Sequence, residues 1–155
     1  MKGMTIIVKT VSSWLKVFIF LFGIYIVLFG HLTPGGGFAG GVILASSYVL
    51  LMLSYGREFT EKNLSLPVAS KLDCAGALLF AAIALVGFLY GAASFFWNFI
   101  QQEYLADKET ALNLISAGTI PLSNIAIGLK VGASLFLVIL MLSKFRPEVS
   151  GNKEE

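Results

Sequence analysis

The sequence predicts an all-α membrane protein with four transmembrane helices, on three observations. Hydrophobic residues fill 57% of its 155 positions and charged residues only 13%, where a soluble domain carries about 25% charged; the mean hydropathy is +0.84. Four apolar stretches each approach the roughly 20 residues that cross a bilayer. Lysine and arginine collect in alternate connections, the pattern of a multi-pass chain. The length suits a single membrane domain over residues 1–155. One cysteine, Cys74, and one histidine, His31, exclude an internal disulfide, a Cys-x-x-Cys redox pair, a thiolate metal site and a bis-histidine haem held by this chain alone. No metal or cofactor is expected, and a net charge of +2 gives no footing for nucleic acid.

The first helix is expected over about residues 11–29. Lys2, Lys9 and Lys16 lead into it as they would into a signal peptide. No small-x-small cleavage site follows and further spans do, so it reads as an uncleaved helix, with Lys16 reaching back to the interface. The stretch from His31 to Gly41 holds Pro34 and the five glycines Gly35, Gly36, Gly37, Gly40 and Gly41. Short, uncharged and glycine-dense, it suits a tight turn packed closely against other backbone. The second helix follows over about 38–55. The next connection carries Arg57, Lys62 and Lys71, and an Asn63-Leu64-Ser65 sequon of a kind common by chance.

Ser70-Lys71-Leu72-Asp73 fits a capping box, with Ser70 as N-cap and Asp73 satisfying backbone donors. It would open a third helix over about 74–97, with Cys74 as a small apolar residue near its start. Phe95, Phe96, Trp97, Phe99 and Tyr104 would form the interfacial belt at its far end. The third connection pairs Lys108 with Glu103, Asp107 and Glu109. It has room for a short surface helix capped by Asp107, apolar at Leu112 and Ile115, and ended by Gly118. Pro121 then opens a fourth helix, about 122–142. The charge alternation places both termini in the cytoplasm, and the glycine turn and the acidic connection outside.

Gly-x-x-x-Gly recurs at Gly36/Gly40, Gly37/Gly41, Gly87/Gly91 and Gly128/Gly132. Glycines four apart leave a flat groove for another backbone, and their presence on three helices points to some of these faces meeting other chains. Gly35-x-Gly37-x-x-Gly40 lacks the βαβ setting of a dinucleotide fingerprint. None of the acids falls mid-helix on these boundaries, so the chain is expected to lack the membrane-depth carboxylate of a self-sufficient cation carrier. Lys130 does fall inside the fourth helix, at a cost of roughly 2.5–3.5 kcal/mol. It either reaches for the outer headgroups or lines a polar path, and in the second case its partner would be water, a carbonyl or an acid on another subunit. His31 is read first as a turn residue bonded to backbone and second as a proton-handling group at the outer mouth. Thr33 and Asn124 would cap helix ends or line a hydrated pocket there. Lys130, His31, Thr33, Asn124 and Asp73 are the candidates for an ion path.

The run Gly30-His31-Leu32-Thr33-Pro34-Gly35-Gly36-Gly37-Phe38-Ala39-Gly40-Gly41-Val42 resembles the signature of the B subunit of multisubunit Na+/H+ antiporters of the Mnh or Mrp type. Asn124 to Gly132 is similar to the last-helix segment of archaeal relatives. The resemblance spans essentially the whole chain. It implies a four-helix, non-catalytic subunit in the plasma membrane of a prokaryote, assembled with other membrane subunits, with Na+ and H+ as the transported ions. The same module occurs in energy-converting membrane-bound hydrogenases and related sulfur reductases. Some bacterial members carry an acid in the last helix where this chain has Gly128 and Lys130, which argues against direct proton carriage by that helix. The alternative is an autonomous four-helix transporter, which would need a membrane-embedded acid. A membrane thiol oxidase is disfavoured because Cys74 alone cannot form the required pairs.

Overall fold

The computed structural model describes residues 4–89, 95–100 and 117–144. Among them stand five helices and no strand: α1 (Ile6–Leu28), α2 (Gly36–Tyr55), α3 (Arg57–Asn63), α4 (Leu66–Gly87) and α5 (Ile120–Leu142). All but α3 are long and apolar enough to cross a membrane. The short α3 follows Gly56, whose φ is +91°, and carries an Arg57–Glu61 ion pair of 3.1 Å along one face. Nothing in the composition of this connection announced it.

The helices form a row. α1 packs on α2, α2 on α5, and α5 on α4, with only a lighter contact of α1 on α5. The order in space is therefore α1, α2, α5, α4. A third of the residues along α2 and α5 are buried, against 17% in α1 and 11% in α4, so the last two are edge helices. Lipid offers no hydrophobic drive for helices to associate, and close backbone approach must supply it. A side chain on Gly41 would stand 2.8 Å from the carbonyl of Gly128, and one on Gly40 would stand 2.5 Å from Val27 of α1. Gly132 faces Gly41 in turn. The glycine stripes of α2 and α5 are thus occupied inside the unit. Gly87 meets backbone of its own chain at Trp97, and Gly91 lies outside the described residues.

The third span departs most from the sequence expectation of 74–97. It starts at Leu66, with Pro67 in its first turn, and ends at Gly87, beyond which Phe96 takes a positive φ of +60°. Phe95 stacks on Phe88 at 5.3 Å and Phe96 lies against Phe80 at 5.0 Å, so the aromatic group folds back over the helix end. Ser70 is not an N-cap and Asp73 caps nothing: both lie inside the helix. The physical reason is length. The apolar run from Cys74 to Gly87 covers only about 21 Å at 1.5 Å per residue, short of the ~30 Å hydrocarbon core, so the helix must take in the more polar segment before it. The expected surface helix from Asp107 lies outside the described residues.

A candidate ion-handling site between α4 and α5

Gly76 brings α4 and α5 together: a side chain there would stand 2.7 Å from the backbone nitrogen of Lys130. One turn before Gly76, on the same face of α4, stands Asp73. Lys130 and Ser134, one turn apart on α5, present themselves to it. The Lys130 ammonium donates to Asp73 Oδ1 at 2.7 Å, and the Ser134 hydroxyl donates to the same oxygen. Roughly two turns of α4 separate Asp73 from the helix start at Leu66, and roughly three turns of α5 precede Lys130. The group is therefore well inside both spans.

Its second property is openness. The Lys130 and Asp73 side chains are 46% and 26% exposed, on the outside of the row. Within a bilayer a charged pair so exposed must meet something other than hydrocarbon, since polar and ionised groups there turn toward a protein interior or a water-filled cavity. The expectation that Lys130 lacks an acid within its own chain's helices is corrected here. The error follows from the shifted helix start, which had left Asp73 at the membrane surface. Ser134 was missed altogether, though its position four residues beyond Lys130 was a usable signal.

The other candidates gather at the turn before α2 and the start of α5. Asn124 lies about 9 Å from Lys130 along α5, and its Oδ1 accepts a hydrogen bond of 3.3 Å from the Gly37 amide. This fixes the start of α2 against α5, where a side chain on Gly37 would collide with the Asn124 carbonyl. Gly35 and Gly36 take φ values of +104° and +57°, which admit glycine and strain other residues. Thr33 donates to the Phe29 carbonyl at 3.0 Å, just past the end of α1. His31 is half-buried in the same turn and Pro34 is exposed. The structure thus joins Asp73 to Lys130, and Asn124 to the glycine turn, as two separate groups. Among the described residues no cluster of His, Cys, Asp and Glu could hold a metal ion.

The profile described as "Domain related to MnhB subunit of Na+/H+ antiporter" matches residues 7–137. An uncharacterized protein of Methanocaldococcus jannaschii is 35% identical over 143 residues, covering 90% of this chain and 52% of that protein. A Staphylococcus haemolyticus protein bearing the name antiporter subunit mnhB2 is 31% identical over 144 residues, covering 92% of this chain and 97% of its own length. Among solved structures, a chain of the membrane-bound sulfane sulfur reductase, an archaeal respiratory membrane complex, superposes with a TM-score of 0.72 at 30% identity, over 91% of this chain and 61% of that one. The chain thus spans about half of the M. jannaschii relative and nearly all of the staphylococcal one. With four membrane-crossing helices it is a multi-pass membrane protein of a prokaryotic type. Matched over most of its length, it belongs to the family of domains related to the MnhB subunit of Na+/H+ antiporters.

Proposed function

We propose that the chain is a non-catalytic integral membrane subunit of a multisubunit Na+/H+ antiporter module, with both termini in the cytoplasm. In this reading Asp73, Ser134 and Lys130 form one step of a cation path where α4 and α5 face a neighbouring subunit. The observation that carries it is the half-exposed Asp73–Lys130 pair inside two membrane helices. A carboxylate sharing one oxygen between an ammonium and a hydroxyl can release the ammonium and accept a proton or a sodium ion in its place. His31, Thr33 and Asn124 would mark the outer end of that path. The staphylococcal relative supports an antiporter setting. The likeness to the sulfane sulfur reductase chain supports a redox-driven parent complex in which catalysis belongs to other subunits.

The alternative of an autonomous transporter no longer fails for want of a membrane-depth acid, since Asp73 is one. Membership of a family related to an antiporter subunit is what weighs against it. The test is Asp73→Asn in the complete complex, with sodium-dependent proton movement measured in inverted vesicles. Exchange should fall about tenfold or more, as removal of a group that alternately holds and releases the ion requires, while the complex still assembles. Unchanged exchange would remove Asp73 from the path.

A further inference from the structure

The charged residues within the four spans are Lys9, Lys16, Lys71, Asp73 and Lys130. Lys9 and Lys71 stand within about a turn and a half of the inner helix ends, where a lysine reaches the headgroups. Lys16, Asp73 and Lys130 are deep. The last two neutralise one another, which leaves one positive charge over, at Lys16. Because α1 begins at Ile6, Lys16 stands near the middle of that helix, not near its end. Its ammonium does not run back to the inner surface. It lies 4.9 Å from the centre of the Tyr48 ring on α2, roughly two turns inside the Tyr55 end of that helix.

The register is regular. One level closer to the inner end, the Tyr55 hydroxyl donates to the Lys9 carbonyl at 3.1 Å, with the Lys9 ammonium 5.8 Å from the Tyr55 ring. Between the two levels Ser54 and Ser12 bond at 2.6 Å in a buried contact. A π face attracts an ammonium but carries no negative charge. α1 is an edge helix, Lys16 is only half-buried, and Ser13 and Val17 beside it are exposed. One side of Lys16 is therefore covered by Tyr48, while the other opens on whatever lies beyond α1.

From this charge imbalance we infer that the α1 edge is an interface, and that its occupant is a transmembrane helix of a neighbouring subunit carrying an aspartate or glutamate at the depth of Lys16. The inference rests on the reading of the chain as a subunit. It is independent of any role for Asp73. Hydrocarbon would leave the ammonium without a counter-charge, whereas a partner carboxylate supplies it and fixes the axial register of the two subunits.

The experiment compares the tagged wild-type chain with Lys16→Met and Lys16→Arg in cells that make the whole complex. Chain abundance in the membrane and co-purified membrane subunits are both measured. Methionine makes α1 easier to insert, so abundance should hold, while co-purified subunits fall about tenfold and Lys16→Arg retains them. In parallel, a hydrophobic carbodiimide applied to wild-type membranes should join Lys16 to an aspartate or glutamate of another subunit, identified by mass spectrometry of the linked peptides. Full co-purification by Lys16→Met, or loss of the chain itself with no Lys16-linked peptide in wild-type membranes, would overturn the inference. A wild-type chain that brings down no membrane subunit at all would instead sink the subunit reading beneath it.

Discussion

At the scale of residues, Gly37 and Asp73 show two kinds of constraint. Gly37 is fixed by sterics: its amide bonds to Asn124 and a methyl group there would enter the space of the Asn124 carbonyl. Gly37→Ala should destabilise the folded chain by about 1–3 kcal/mol, the range for forcing extra volume into a packed contact. The loss is read as a lower midpoint of thermal unfolding in detergent. Gly132→Ala, whose added carbon meets its nearest neighbour at 3.3 Å, should cost visibly less. Equal midpoints for both variants and the wild type would mean that the turn does not hold the row together. The glycine-rich turn was legible beforehand because left-handed backbone and close approach are demands on single residues. The partnership of Asp73 with Lys130 was not, because the two stand 57 residues apart and only the packing of α4 on α5 joins them. Ser134 was hidden for the same reason.

At the scale of elements, the decisive matter is where a span begins. A local capping pattern at Ser70 to Asp73 competed with the length of the bilayer, and the length prevailed, because a helix that stops short leaves unsatisfied backbone groups in hydrocarbon. The same rule carries α1 back to Ile6 and so places Lys16 at depth. Thiol labelling distinguishes the two placements. With α4 starting at Leu66, the native Cys74 should resist a membrane-impermeant maleimide in inverted vesicles, while Ser65→Cys in a Cys74→Ser background should react. Labelling of Cys74 as fast as the residue-65 thiol would return Asp73 to the membrane surface and dissolve the site. The second helix and the last were nearer to expectation, since strong apolar runs bounded by glycine or proline leave little choice of boundary. The short α3 had no such signal in a seven-residue segment.

At the scale of the whole molecule, the division between centre and edge organises the function. The glycine faces are occupied between α1, α2 and α5, so cohesion is internal. The ionic features lie toward the outside: Lys16 on one edge, and Asp73 with Lys130 near the other. A chain built to transport alone would enclose such groups among its own helices, as polar groups in spans ordinarily face a bundle interior. This one carries them outward, which suits a piece of a larger assembly. The most direct test is sodium-for-proton exchange in liposomes, comparing the purified chain by itself with the complete complex reconstituted at equal copy number. The complex should exchange and the lone chain should be inert. Exchange by the lone chain at a comparable rate would contradict the account.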